Sequence, residues 1–250
     1  MYHIDTYGLL GYPLGHSFSK PFFTEKFQRE GISAEYLNFE IPDINLLADL
    51  LLEHPTLRGF NVTIPYKEAI LPLLDHISPE AQKIGAVNTV RVEWEDGNPI
   101  LTGYNTDVVG FEESLLPCLR AHHREALVLG TGGAAKAVMY VLKKMGIAPH
   151  QVSRRAQPGI LTYEHITPEW MERCQIIVNC TPLGTTPNVD TCPDIPYELL
   201  NEQHLLYDLV YNPAETLFLH IGKKQGADIK NGAEMLKLQA LAAWKIWTKK

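Results

Sequence analysis

Long apolar runs are missing from this 250-residue chain. No stretch approaches the ~18 apolar residues that a membrane helix needs. The opening MYHIDTYGLL has no basic segment followed by an apolar one, so no secretory leader is expected. Cysteine is scarce. Cys118, Cys174, Cys180 and Cys192 form no CxxC pair, and none sits at zinc-finger spacing from a histidine. A reduced, cytoplasmic setting fits that usage best. The ten histidines include no HExxH, and no dedicated metal site is expected. Positive charge is in deficit, 22 Lys and Arg against 29 Asp and Glu, for a net charge of −7. That argues against a nucleic-acid or anionic-membrane surface, though not against a local basic pocket. Repeats and low-complexity linkers are also lacking.

What remains is the composition of a globular protein, 45% apolar and 20% charged, long enough for one large domain or two small ones. Short apolar runs alternate with helical stretches, the pattern of an α/β protein. Strands are predicted at Tyr7–Leu10, Glu35–Ile41 and Gly59–Ile64, with a helix ending near Gly31 and another capped by Asp43. Tyr66–Asp75 reads as helical. Ser78-Pro79 opens a short helix that stops before Gly85. Val87–Trp94 and Ile100–Tyr104 flank the turn EDGNP, so one sheet edge should be antiparallel. After Thr106 the pattern changes: a connecting helix over Val108–Leu119, the strand ALVLG, a Gly-rich turn and a helix. Further strands follow at Gln151-Val152, Ile176–Asn179 and Leu205–Val210. This is a second α/β unit with nucleotide-binding order. In the last helix, Glu234–Trp247, Met235, Leu238, Leu241 and Trp244 share a face, with Leu236, Ala240, Ala243 and Trp247 beside it. So wide an apolar arc should dock on a core.

The segment VLGTGGAA places Gly130, Gly132 and Ala135 in a G-x-G-x-x-A pattern between a strand and a helix. Glycines there let the backbone turn tightly and admit a pyrophosphate, and the helix start offers free N–H groups. About 20 residues further on, an NAD site would carry an acid for the ribose hydroxyls. This chain has Ser153-Arg154-Arg155. Two guanidinium groups suit a 2′-phosphate, so NADP is preferred over NAD, the bland alternative being two solvated arginines.

The other polar clusters lie at predicted strand ends: Ser17 and Ser19, Asn61, Thr63 and Lys67, Asn88, and Asp107. Neutral hydrogen-bonding groups in this number suit a polyhydroxylated small molecule. Hydride transfer to a ketone also needs a proton for the developing alkoxide. Lys67 is a cationic donor, and Asp107 a carboxylate that could orient it. Each has a plainer reading. Ser17 or Ser19 could cap the following helix, Asp107 could cap the connecting helix, Lys67 could be solvated, and Asn61 and Asn88 could be turn residues.

At these residues the chain resembles the shikimate dehydrogenase family over nearly its whole length. The blocks are GYPLGHSFS (11–19), NVTIPYK (61–67), GAVNT (85–89), NTD (105–107), the cofactor block at 130–134, D-x-x-Y from Asp208 to Tyr211, and G-x-x-M-L-x-x-Q from Gly232 to Gln239. Two places depart from the pattern. The adenosine loop, commonly N-R-T, is Ser153-Arg154-Arg155, and N-A-T/S-x-x-G reads Asn179-Cys180-Thr181-Pro182-Leu183-Gly184. The stretch 154–175 is short, which predicts a truncated helix.

The resemblance implies two α/β domains, an N-terminal substrate domain (1–106 plus 232–250) and a C-terminal Rossmann-like NADP-binding domain (107–231), with the active site in the cleft. It implies Lys67 and Asp107 as the catalytic pair. Ser17, Ser19, Asn61, Thr63, Asn88, Tyr211 and Gln239 would join them in holding substrate. Gly130, Thr131, Gly132, Gly133 and Ala134 would take the pyrophosphate and Ser153, Arg154 and Arg155 the 2′-phosphate, with Thr181, Leu209 and Gly232 also against the cofactor. The implied activity is reversible NADPH-dependent reduction of 3-dehydroshikimate to shikimate, in the cytoplasmic route to chorismate and aromatic amino acids. The partner is a small molecule, and a homodimer is left open. The rivals are an NAD-using quinate/shikimate dehydrogenase, another two-domain oxidoreductase such as a methylene-tetrahydrofolate dehydrogenase, and a non-catalytic NADP-binding sensor.

Overall fold

A computed structural model describes residues 4–15 and 17–249. The chain divides into two compact units, Met1–Thr106 with Ala240–Lys250, and Asp107–Gln239. The first is built on β1 (Asp5–Gly11), β2 (Ala34–Glu40), β3 (Leu57–Val62), β4 (His76–Ile77), β5 (Thr89–Glu95) and β6 (Asn98–Tyr104), in the order β2-β1-β3-β5-β6-β4. β1 is parallel to β2 and β3, while β5 runs antiparallel to β3 and β6. The antiparallel edge comes from a two-residue turn. Asp96 and Gly97 both have positive φ, 50° and 82°, the geometry that matches strand twist and favours Asp-Gly.

The helices of this unit are α1 (Ser19–Glu30), α2 (Leu47–Glu53), α3 (Tyr66–Ala69) and α4 (Pro79–Ile84). Gly31 ends α1 in the left-handed conformation at φ 63°. The Asp43 carboxylate accepts from the Asn45 N–H and the Ser78 hydroxyl from the Ala81 N–H, as expected of caps. The helix expected over Tyr66–Asp75 is only one turn, followed by a 3-10 turn at Leu71–Leu73 and β4. Pro72 lacks the N–H that would continue the ladder.

The second unit holds α5 (Asp107–Leu115), β7 (Glu125–Leu129), α6 (Gly133–Lys144), β8 (Ala148–Ser153), β9 (Leu161–Thr162), α7 (Pro168–Arg173), β10 (Ile176–Asn179), β11 (Leu205–Asp208), α8 (Leu217–Lys224) and β12 (Asp228–Lys230). Its strands are parallel in the order β12-β11-β10-β7-β8-β9. The order reverses between β7 and β10, the switch point at which open α/β sheets bind ligands. Burial on both faces accounts for the continuous apolar runs in β7 and β10. α7 has six residues, in keeping with the short stretch before it. β9, α8 and β12 are not anticipated in the sequence reading.

The last helix, α9 (Ala233–Thr248), passes from the second unit into the first at Ala240. Its deepest residues in the first unit are Ala240, Ala243 and Trp247, packed with Tyr7, Phe23, Phe27 and Tyr36. Leu238, Leu241 and Trp244 are only half-buried. The Trp247 indole donates to the Val90 carbonyl at 2.9 Å and lies over Gly59, where an added Cβ would come within 2.2 Å of it.

Candidate functional site

In the first unit the expected substrate residues gather at the C-terminal ends of β1 and β3. Asn61 ends up 4% exposed and Asn88 3% exposed. The Tyr36 hydroxyl donates to Asn61 Oδ1 at 2.8 Å, and Asn61 Nδ2 donates to Thr89 Oγ1 at 3.2 Å. Asn88 Oδ1 accepts from the Thr106 N–H at 2.7 Å and from the Thr89 hydroxyl at 3.1 Å. Both asparagines are thus buried struts of a polar web, not solvated turn residues. Ser19 is 7% exposed, and burial makes the proton of the Tyr36 hydroxyl hard to remove.

Neither serine of the first block caps α1. Phe18 holds the N-cap position with helical backbone angles and no side-chain cap bond. Ser17 Oγ is buried with no hydrogen-bond partner among the described residues. An unsatisfied buried hydroxyl costs about 1–3 kcal/mol, so this one fits a group whose partner is a ligand. Asn105 Oδ1 shares that condition, while its Nδ2 donates to the Ala86 carbonyl at 2.9 Å. Sequence reasoning misses Asn105, which only its place in NTD marks. Thr63 packs on Gly11, with room for no side chain at that glycine. Lys67 is half-buried on α3, and its carbonyl accepts from Val87 N–H at 2.8 Å. His16 of the same block as Ser17 lies outside the described residues.

In the second unit the glycine turn links β7 to α6. Gly130 has φ +120°, donates to the Val152 carbonyl at 2.9 Å and accepts from Gln151 Nε2 at 2.9 Å. Gly132 is the N-cap of α6, and open space surrounds its missing Cβ. α6 forms because Ala135, Val138, Val141 and Leu142 bury one face, with Lys143 and Lys144 in the last turn against the helix dipole. Thr131 and Gly132 are exposed and Gly133 and Ala134 half-exposed. An uncrowded helix start with accessible N–H groups is a cradle for a pyrophosphate. At the end of β8 the Ser153 hydroxyl accepts from the Arg155 N–H at 3.2 Å, and Arg154 and Arg155 are solvent-exposed. No acid stands in that turn, so the residues present fit NADP(H).

Asp107 opens α5 and is 6% exposed. Gln239 is 6% exposed in α9, where its Nε2 donates to the Leu236 carbonyl at 2.9 Å. Gly110 of α5 faces Gln239 and the Met235 carbonyl so closely that an added Cβ would lie 2.5 Å from the latter. Gly232 packs on the Leu209 carbonyl, 2.1 Å from where a Cβ would stand, so its glycine is demanded by backbone approach. Tyr211 is half-buried, and burial raises its hydroxyl pKa.

One polar group in this unit enters the sequence reading only as the first residue of the D-x-x-Y block, with no role of its own. Asp208 is completely buried at the end of β11, and burial pushes its carboxyl up to about 6 despite three donors. A charged residue closing an otherwise apolar strand is the signal that could have found it. At the opposite end of the sheet, Glu125, His150 and Cys174 place ligand atoms within 4.8 Å of one another. The Arg173 guanidinium grips that carboxylate at 2.9 and 3.2 Å, and burial raises the Cys174 thiol to about 12. The trio is an ion-pair network, and no metal is assigned to it. A cavity of about 210 Å³ near Pro168, Met171 and His204 lies by the starts of β10 and β11, away from the switch point.

Residues 9–90 match the family model described as the shikimate dehydrogenase substrate binding domain. The NADP(+) shikimate dehydrogenase of Clostridium beijerinckii is 40% identical over 98% of this chain and 92% of its own. The chain belongs to the shikimate dehydrogenase family. The crystal structure of a Thermus thermophilus family member, in complex with NADP(H) and shikimate, superposes with a TM-score of 0.85 at 34% identity, covering 98% of this chain and 94% of that one. Quinate dehydrogenase from Corynebacterium glutamicum, in complex with NAD, is similar at a TM-score of 0.84 but 26% identity, covering 98% and 94%. The family frame thus accommodates both cofactors.

Proposed function

We propose that this protein is an NADP-dependent oxidoreductase acting on a CH–OH group, the shikimate dehydrogenase that interconverts 3-dehydroshikimate and shikimate on the route to chorismate and aromatic amino acids. The observation that carries the reading is Ser17 Oγ, a buried hydroxyl oxygen without a hydrogen-bond partner among the described residues, in a unit that also holds a buried web of neutral polar groups. Such a site suits the recognition of hydroxyls. Ser17, Ser19, Asn61, Thr63, Asn88, Tyr211 and Gln239 hold the substrate. The first unit is the substrate domain and the second the NADP-binding domain.

NADP(H), when bound, supplies the hydride donor or acceptor. The Gly130–Ala134 turn and the first N–H groups of α6 hold its pyrophosphate. Arg154 and Arg155 hold the 2′-phosphate, with Thr181, Leu209 and Gly232 further along the same sheet edge. Lys67 gives its proton to the alkoxide that develops as the ketone is reduced and, as the neutral amine, takes it back on reversal, with Asp107 the carboxylate of the catalytic pair. The charge of Lys67 matters most in the transition state, so its contribution belongs to turnover. The setting we expect is the cytoplasm, in line with four cysteines that are all free thiols. No helix among the described residues is long and apolar enough to cross a membrane.

The test is reduced-nicotinamide absorbance with purified protein and shikimate, run in parallel with NADP+ and NAD+, then repeated with quinate. Rapid reduction of NADP+ by shikimate is the expected result. Activity mainly with NAD+ or on quinate would move the chain to the quinate/shikimate branch. Binding of NADP+ without turnover of either substrate would leave the sensor reading.

A further inference from the structure

Asn179 and Asp208 end neighbouring parallel strands and face each other in register. Both are completely buried. Asn179 Nδ2 donates to Asp208 Oδ1 at 2.9 Å. The same Oδ1 accepts from the Val210 N–H at 3.0 Å, and Oδ2 accepts from the Thr216 hydroxyl at 2.6 Å. On the other side, Asn179 Oδ1 accepts from the Thr181 N–H at 3.0 Å and from its hydroxyl at 2.6 Å. Thr181 Oγ1 in turn accepts from the Leu183 N–H at 3.3 Å. A continuous chain of hydrogen bonds therefore runs from the loop after β10, through two strand ends, to the start of α8.

The loop after β10 is also the floor of the glycine turn. A Cβ at Gly130 would stand 3.3 Å from the Cys180 carbonyl group and 3.5 Å from Thr181 Cγ2. Cys180 N–H is bonded to the Leu129 carbonyl at 2.9 Å. Any drift of Cys180 or Thr181 would be felt at Gly130. The carboxyl of Asp208 has no solvent contact, and its three donors are all neutral. Such a group is expensive to keep. An apolar residue would fill that place at lower cost, so the network must matter for placement.

We propose that Asp208 is a positioning residue for the dinucleotide: through Asn179 it holds Cys180 and Thr181 against Gly130 and so sets the shape of the pyrophosphate turn. The proposal rests on the assignment of that turn to NADP(H). Asp208 touches neither cofactor nor substrate. It acts through hydrogen-bond geometry, so an amide should replace it. In Asp208→Asn the amide oxygen would accept from Val210 and Asn179, and the amide nitrogen would donate to the Thr216 oxygen.

The experiment is direct titration of NADP+ onto the whole chain, without shikimate, with thermal melting of each variant alongside. Asp208→Ala should weaken NADP+ by about tenfold or more, as small misplacements of a binding loop do. Asp208→Asn should restore affinity to within about threefold of wild type, and Asn179→Ala added to Asp208→Ala should cost little more, since both cut one chain. If Asp208→Ala does not fold, Thr216→Val removes the donor to Oδ2 together with the cap bond from the Leu219 N–H, and a severalfold weakening is expected. Wild-type affinity in a folded Asp208→Ala or Thr216→Val variant overturns the proposal. So does an Asp208→Asn variant as weak as the alanine one, which would make the charge and not the geometry responsible. A wild-type chain that binds no NADP+ would instead remove the cofactor assignment underneath.

Discussion

Replacing Lys67 by alanine removes the proposed proton donor and leaves the polar web of Asn61 and Asn88 in place. Turnover should fall by about two to four orders of magnitude, with a much smaller change in the KM for shikimate. Steady-state rates in both directions check this, and wild-type turnover would remove the role. At the adenosine end, Arg154→Ala together with Arg155→Ala should raise the KM for NADP+ by about tenfold or more while leaving NAD+ nearly unaffected. An equal loss with both cofactors would mean the arginines do not read the 2′-phosphate. Asp208 carries a pH signature. Its folded pKa of about 6 stands above the ordinary 3.8, so the folded state binds the extra proton in that window. The stability this contributes is fully present below about pH 4 and lost as pH rises through about 6, on the order of 3 kcal/mol. Asp208→Asn has no such loss. Its melting temperature relative to wild type should therefore rise between those two pH values and then level off.

At the scale of elements, α9 is fastened to the first unit by two large side chains, Trp244 and the more deeply buried Trp247. Trp247 is 6% exposed, packs among the rings of Tyr7, Phe23 and Tyr36, and donates to the Val90 carbonyl. Trp247→Ala should cost about 3–5 kcal/mol through lost burial, a cavity over Gly59 and an unpaired carbonyl. Denaturant melting measures it, and a change below about 1 kcal/mol would mean that the helix is held elsewhere. The elements legible in sequence are those whose cues are local. Gly31 and Gly85 stop helices, Asp43 and Ser78 cap them, and Asp-Gly turns the hairpin. The helix expected over Tyr66–Asp75 stops after one turn, because Pro72 outweighs the apolar period that suggests a longer one. β4, β9 and β12 have two or three residues each. Such strands exist only because a neighbouring strand offers hydrogen bonds, and no periodicity announces them.

At the scale of the whole molecule, each unit has a core of its own. One cluster centres on Leu10, Phe60, Val62 and Val90, another on Leu127, Leu129, Ile177 and Phe218. Outside the substrate residues Tyr211 and Gln239, ligands should therefore protect the units separately. In hydrogen exchange, NADP+ should slow amides around 130–135 and 180–184, and shikimate those around 61–67 and 86–90. Protection of the same segments by both ligands would contradict the assignment of substrate to the first unit and cofactor to the second.

Much of this protein is determined by sequence alone. The alternation of elements makes it α/β, the glycine turn between strand and helix makes one half nucleotide-binding, and the missing acid at Ser153-Arg154-Arg155 favours the phosphate-bearing cofactor. These are local properties, set by backbone freedom and by which charges stand beside one another along the chain. Tertiary structure alone decides that Ser17 Oγ is buried without a partner among the described residues, that Asn61 and Asn88 are struts in a shared web, and that Asp208 meets Asn179. Burial and hydrogen bonding between residues dozens of positions apart depend on which strand ends the sheet order brings together, and no spacing along the chain records that.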